Sequence, residues 1–353
     1  MRRKARKIAV VFNPNSKKNL LDPDRFEVLQ AIVGDAGTVV RTDEPEAVVA
    51  QVANFLDEEI PYLVADGGDG AFHWLVNAAY EAVSQRGGGE RVPAILPTNS
   101  GTIDFMGRKA GVIGKPQPLL RTLVQMVKDG RQPDIVAIDS LRLTGDIAPD
   151  GGPEQPFSRI GFAMALAGVG SRFFQLFYDQ DHKNAYGVVS TVGRILGSAS
   201  LSSPGIKFLP FSKRARDYGG HVFEPMPLNV WVDHELLPIK RYRALNVGSI
   251  DLNLAGVFRL FPHAKEQGVM HVQAGNPTVL EVAKALPVMF AGGKKLPVKE
   301  FVERPARHLR AEITSELRMN PVIDGEIFLD LVRFTVSRGP QVDVIRLVAD
   351  PEA

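Results

Sequence analysis

The sequence contains no cysteine in 353 residues. That excludes disulfide bridges and thiolate metal sites, and it fits a reducing compartment such as the cytoplasm. Long apolar runs are missing as well. The longest nearly apolar stretch, residues 160–170, meets Arg172 well short of the ~20 residues that a bilayer span requires. The run behind the basic N-terminus, Ile8 to Phe12, is too short for a signal-peptide core and stops at Asn13-Pro14. These absences predict a soluble, cytoplasmic protein. A strong charge imbalance is lacking too. Lys and Arg number 42 against 40 Asp and Glu, a formal net charge of +2, which is too little to argue for nucleic acid as a partner. Two local basic clusters remain, "MRRKARK" at the start and "KRAR" at Lys213 to Arg216. Each reads either as a solvated segment or as peripheral contact with an anionic membrane surface, where a basic residue adds about 1 kcal/mol.

What is present is an ordinary globular balance, 44% hydrophobic and 23% charged. At roughly 100–200 residues per domain the length predicts two domains. Up to about residue 133, strand and helix patterns alternate. "IAVVF", "TVV", "YLVA" and "VPAIL" are short β-rich runs. Between them lie helical spacings: Phe26, Leu29 and Val33 after an Asp22-Pro23 start, then Val48, Val52 and Phe55, then Phe72, Leu75, Val76, Ala79 and Val83. This alternation predicts a Rossmann-like α/β domain over residues 1–133, with a parallel sheet and helices on its faces. From residue 134 to 330 the runs shorten and alternate with period two, as in "LNVWVD". That predicts a mostly antiparallel β domain, with one helix from near Asn276-Pro277 to about Phe290. Residues 331–353 are expected as strands returning to the first domain.

One short stretch carries most of the chemistry. In "YLVADGGDGAFHW", Gly67-Gly68-Asp69-Gly70 follows a buried strand and opens a helix. Backbone N–H groups there approach an anion without a Cβ in the way, and the helix N-terminus favours negative charge. An aspartate would repel a bare phosphate, so it points to Mg²⁺ or a nucleotide hydroxyl. The competing reading is a tight β–α turn with Asp69 as a helix cap. The dinucleotide fingerprint fails because His73 stands where its last glycine belongs, and no P-loop motif occurs. Two more strand-end loops share the texture: "NPNSKK" after the first strand, with Asn13, and "PTNSGTIDF" after the fourth, with Gly101, Thr102 and Asp104. His73 reads as a partly exposed structural residue or a phosphate contact. "FFQLFY", Phe173 to Tyr178, reads as helical core packing or as the lining of an apolar route for a lipid.

Together "FNPNS", "GGDG" with "LVNAA" behind it, and "LP…GTIDF" resemble the diacylglycerol kinase catalytic domain, a fold shared with bacterial lipid kinases, sphingosine kinases and, more remotely, NAD kinases. In the second half "LAGVG", "FPHAKEQGVMHV" and "NPVIDGEIF" extend the likeness. The resemblance implies transfer of the γ-phosphoryl group of ATP to a hydroxyl of a diacylglycerol- or sphingoid-like lipid, at a membrane surface touched peripherally. It also implies a β-sandwich over residues 134–330 that takes the substrate, and it implies roles. Gly67, Gly68 and Gly70 cradle phosphates, and Asp69 acts on Mg-ATP. Asn13, Gly101, Thr102 and Asp104 complete the nucleotide cleft. Asp324 is the general base on the lipid hydroxyl, and Glu326 is its partner. Taken alone, Asp324-Gly325-Glu326 also reads as an ordinary β-turn. The chain departs from the family at Ala71, where a threonine is usual, and at Gln267, where a carboxylate is expected. Two rival functions stay open: an NAD-kinase-like enzyme for a small molecule, which "NSGTIDFM" favours, and a nucleotide-binding regulatory protein without catalysis.

Overall fold

The computed structural model describes residues 7–101, 103–178, 185–201, 218–254, 258–266, 268–291 and 296–350. They form two compact units, residues 1–138 with 341–353, and residues 139–340. Thr102, Gln267 and the basic clusters at residues 1–6 and 213–216 lie outside the described residues.

In the first unit β1 (Ile8–Phe12), β2 (Gly37–Arg41), β3 (Tyr62–Asp66) and β4 (Ala94–Pro97) run parallel in the order β2-β1-β3-β4. The connections hold α1 (Lys17–Leu20), α2 (Arg25–Val33), α3 (Pro45–Asp57), α4 (Asp69–Gln85), α5 (Phe105–Ala110) and α6 (Pro116–Lys128). Every residue of β1 is buried, so the strand is covered on both faces; this accounts for a run without polar alternation. Helix α2 begins at Arg25 rather than at Pro23, because residues 22–24 turn back and the Arg25 N–H bonds to the Asp22 carbonyl at 3.2 Å. The strand order sets the position of the site. From β1 the chain steps to β2 on one side, and it returns to β3 on the other. Open α/β sheets form a crevice where the direction reverses, outside the carboxyl ends of the two strands. Those ends are Phe12-Asn13 and Asp66-Gly67. Residues 342–348 add to this unit: Val344 pairs in parallel with Ile95, and Val342, Val344, Ile345 and Leu347 are buried.

The second unit takes up the chain within β5 (Asp134–Ile147). It continues through β6 (Gln155–Gly161), β7 (Ala163–Gly168), α7 (Val169–Tyr178) and α8 (Ala185–Leu201). Next come β8 (Met226–Val232), β9 (Glu235–Leu236), β10 (Arg241–Tyr242), β11 (Ala244–Gly248), β12 (Leu252–Leu254) and β13 (Phe258–Leu260). It closes with β14 (Met270–Gly275), α9 (Val279–Phe290), β15 (Phe301–Ala306), β16 (His308–Ile313), β17 (Val322–Ile323), β18 (Glu326–Ile327) and β19 (Leu331–Arg346). Its pairings are antiparallel and fall mainly into two sheets, one containing β10-β8-β16-β19 and one with the order β15-β14-β11-β7-β17-β18. Alternation makes the core. Leu228, Val230 and Val232 of β8, with Leu309 and Phe334, share one cluster with Leu166, Val247 and Val272 of the other sheet. Two inner faces interdigitating in this way are a β-sandwich: the period-two pattern predicts its antiparallel strands, and the family resemblance implies the sandwich. Helix α9 starts at Val279 because Thr278 and Glu281 form a reciprocal capping box.

The returning segment makes a testable contribution. Val344→Ala is expected to lower the urea-unfolding free energy of the first unit by about 1–3 kcal/mol, through the lost transfer energy and the cavity left in a fully buried site. A change below about 0.5 kcal/mol would show that residues 342–348 pack there only loosely.

Candidate functional site

The three strand-end loops of the first unit meet, and they do so through missing side chains. A Cβ on Gly68 would lie 2.6 Å from the Gly101 Cα, and the converse holds for Gly101. The loops after β3 and β4 therefore touch backbone to backbone, an approach that only glycine permits. A Cβ on Gly67 would overlap the Ala71 methyl group. Asp104 adopts a left-handed conformation, φ 51°, and its Oδ1 accepts the Gly101 N–H at 2.7 Å. Asn13 shapes the first loop: its Oδ1 accepts the Asn15 N–H at 2.9 Å, and its own N–H points to the Asp66 carbonyl at 3.4 Å.

Asp69 sits at the first position of α4, yet its carboxylate works on a different helix. Oδ2 accepts the Phe105 N–H and Oδ1 the Met106 N–H, both at 3.2 Å. Those are N-terminal donors of α5, whose own N-cap residue Asp104 makes no side-chain cap bond. So the cap reading of Asp69 holds for α5, across two loops, rather than for α4. The 17-residue α4 makes its first intrahelical bond from the Phe72 N–H to the Gly68 carbonyl, at 3.1 Å. The N–H groups ahead of Phe72 have no carbonyl within the helix and face the half-buried turn, which is the geometry of an anion site. His73 is fully buried in α4, not partly exposed, with its ring edge-on to Trp74.

Beneath the turn lies a polar cluster that the motif search did not single out. Asp66, the last residue of β3, has no exposure to water. Arg25 holds it bidentately, Nη2 to Oδ1 at 2.6 Å and Nε to Oδ2 at 3.0 Å. Asn19 Nδ2 donates to Asp66 Oδ2 at 3.1 Å and to the Asn13 carbonyl at 2.8 Å. Thr98 Oγ1 approaches Asp66 Oδ1 at 3.4 Å, and Arg25 Nη2 also donates to Ser100 Oγ at 3.1 Å. A signal for half of this was visible in "YLVAD", since a charged residue closing an apolar buried strand must find a counter-charge. Nothing in the local pattern identified Arg25 as that counter-charge.

In the second unit Asp324 and Gly325 are the two central residues of a hairpin between β17 and β18, with φ of 53° and 95°. Positive φ at both is the type I′ turn whose twist suits a two-residue hairpin. Hairpin tips are normally wet, but Asp324 is only 5% exposed. Its Oδ1 accepts the N–H groups of Phe162 and Ala163 at 2.8 and 2.9 Å, and its own N–H donates to the Ala163 carbonyl at 2.9 Å. Space for it comes from Gly161, where a Cβ would press on Ile323 and lie 3.1 Å from Asp324 Oδ2. Glu326 is half-buried just beyond the turn. The Tyr178 hydroxyl covers it, 2.7 Å from where a Gly325 Cβ would stand. The rest of "FFQLFY" packs inward: Phe177 is buried and stacks on Phe173, and Phe173 and Leu176 lean on a cluster of Ile195, Ala199, Val222 and Phe223.

The loop in "FPHAKEQGVMHV" is tied down as well. The His263 N–H meets His271 Nδ1 at 3.3 Å, and the Gly268 N–H meets Asp139 Oδ2 at 3.3 Å. Nε2 of the buried His271 lies 3.3 Å from Glu303 Oε1, close but oblique, so we treat it as an electrostatic contact. Burial disfavours the charged form of Glu303, but His271, Gln273 and the Leu296 N–H outweigh it and hold its carboxyl below the usual range.

For Mg²⁺ the protein's own donors fit poorly. Both oxygens of Asp69 take backbone N–H bonds, Asp66 is held by Arg25, and no group of three or more His, Asp or Glu able to hold a metal occurs among the described residues. The glycine turn offers a phosphate chain the N–H groups at the start of α4, among them that of Gly70, which carries no Cβ.

The buried pair makes a sharp stability prediction. Arg25→Ala strands a charged Asp66 in the interior and is expected to cost roughly 3–5 kcal/mol in chemical unfolding. A cost under about 1 kcal/mol would mean that water reaches Asp66.

Residues 7–133 match the family model of the diacylglycerol kinase catalytic domain. No curated protein sequence matches the chain significantly. Among solved structures, a candidate diacylglycerol kinase from Bacillus anthracis str. Sterne is 13% identical, covers 98% of each chain and superposes with a TM-score of 0.61. A diacylglycerol kinase from the same organism is 14% identical over 98% of this chain and 97% of that one, with a TM-score of 0.53. A yeast NADH kinase complexed with NADH is 11% identical over 98% and 85%, and its TM-score of 0.49 is too low to carry an argument. At these identities the structures establish a shared fold along the whole length. The domain match supports a kinase, a phosphotransferase that uses a nucleotide. The segment that matches the diacylglycerol kinase catalytic domain, residues 7 to 133, is the one that carries the parallel sheet and the strand-end glycine loops.

Proposed function

We propose that this protein is an ATP-dependent lipid kinase that phosphorylates a hydroxyl of a diacylglycerol- or sphingoid-like lipid. The observation that carries this reading is the glycine turn at the reversal of strand order, where the start of α4 offers backbone N–H groups to a phosphate chain. Asn13, Gly67, Gly68, Gly70 and Gly101 line that turn or its neighbours, and Thr102 is assigned with them on sequence. Asp69 and Asp104 hold the loops in register through backbone bonds.

Phosphoryl transfer demands mainly positioning and neutralisation of charge, plus a carboxylate that takes the acceptor's proton. In this reading Asp324 accepts the proton of the lipid hydroxyl as its oxygen bonds to the γ-phosphorus and ADP leaves. The two backbone N–H groups on Oδ1 fix the carboxylate's orientation. Glu326, next to it on β18, orients the acceptor or the phosphate end. Mg²⁺ would belong to the Mg-ATP substrate and would supply charge neutralisation there. An apolar acceptor is supported by Ile327 and Leu329, exposed directly behind the hairpin at 38% and 60%. No described helix is long and apolar enough to cross a membrane. In this reading the lipid is met peripherally, at a cytoplasmic membrane face.

The test offers γ-labelled ATP and Mg²⁺ to the protein with diacylglycerol-containing vesicles in one tube and NAD in another. Label is expected in the lipid. Asp324→Asn keeps an acceptor oxygen for both N–H groups and is expected to lower turnover about 10²–10⁴-fold while ATP still binds. Label in NAD alone would make the protein a small-molecule kinase. ATP binding without label anywhere would point to a regulatory role.

A further inference from the structure

We propose that Arg25 and Asp66 are a positioning pair for the nucleotide site: they set the relative placement of the three strand-end loops and keep the charge beneath the glycine turn neutral. The proposal rests on the nucleotide-binding reading above. Neither residue is in a position to touch the reacting atoms, since the Arg25 and Asp66 side chains are 7% and 0% exposed.

Connectivity is the first argument. Asp66 ends β3 and directly precedes Gly67. Through Asn19, whose Nδ2 bonds to both Asp66 Oδ2 and the Asn13 carbonyl, it holds the loop after β1. Through Arg25 Nη2 on Ser100 Oγ, the pair holds the loop after β4, and the Ser100 N–H returns to the Gly67 carbonyl at 3.1 Å. One ion pair thus reaches all three strand-end loops, including the two that touch at Gly68 and Gly101. Energetics is the second. A buried ion pair gives little or no stability over apolar side chains of the same volume, because desolvation offsets the Coulomb attraction. Stability is therefore a poor reason for the pair, whereas its directional bonds fix distances that apolar packing would leave loose. Charge is the third. A lone carboxylate under the turn would oppose a phosphate, and the bidentate guanidinium cancels it at 2.6 and 3.0 Å.

The decisive variant is Arg25→Met with Asp66→Leu, which replaces the pair by apolar side chains. Its midpoint in urea is expected to match or exceed that of the wild type. Amide hydrogen exchange at residues 13–20, 66–71 and 98–101 is expected to rise, without ATP present. The Kd for ATP is expected to rise about tenfold, the effect of losing one or two positioned hydrogen bonds. KM for ATP follows it and kcat changes little. A stable double variant with unchanged exchange and unchanged Kd overturns the proposal. If the double variant does not fold, Ser100→Ala decides instead, because it cuts one bond from Arg25 and leaves the ion pair intact. It is expected to raise exchange at residues 98–101 and the Kd for ATP about threefold at constant Tm, and no change in either overturns the proposal. A wild type that binds no ATP defeats the nucleotide reading alone, and the exchange data still judge the pair.

Discussion

A carboxylate with no access to water ends the third strand of the first unit, and the surrounding loops are organised around its neutralisation. Asp66 requires a cation, and Arg25, at the first position of α2, supplies it. Once the guanidinium is in place, its remaining hydrogen-bonding capacity and that of Asn19 tie in the neighbouring loops. With the loops drawn together, Gly68 and Gly101 make contact at a separation no side chain would allow. The anion-attracting start of α4 is thus shaped from below by a buried ion pair and from the side by a glycine contact.

The second unit solves a related problem with a different device. Asp324 would be an ordinary hairpin residue if the hairpin tip were in water. Gly161 leaves room for it, the N–H groups of Phe162 and Ala163 bind one oxygen, and Tyr178 covers the turn. Burying a carboxylate is costly unless donors compensate it, and a side chain so held has few orientations open to it. A general base benefits from that restriction, since proton transfer depends on position before it depends on basicity.

Much of this was legible in the chain. Strand–helix alternation identified the parallel α/β unit, and "LNVWVD" with its neighbours identified the antiparallel strands of the second, because one buried face forces a period of two. The "GGDG" turn was visible because an acidic residue among three glycines leads straight from an apolar strand into a helix. Other features were hidden. Asp69 read as a possible cap of its own helix, but it caps α5, 36 residues onward, a relation that only the folded loops create. His73 looked accessible so close to a helix start, yet the first turn of α4 rotates it inward. The pairing of Arg25 with Asp66 spans 41 residues and has no local signature. Local pattern shows where a charge is buried, and only tertiary structure shows what pairs with it.

In the proposed function the glycine turn of the first unit is the nucleotide site. The most direct measurement is a titration of the ¹⁵N-labelled protein with Mg-ATP, following the backbone amides of Gly68, Asp69, Gly70 and Ala71. The account predicts saturable shifts at those four residues and at Asn13 and Gly101. Saturable shifts confined to other parts of the chain, with the turn unmoved, would contradict it.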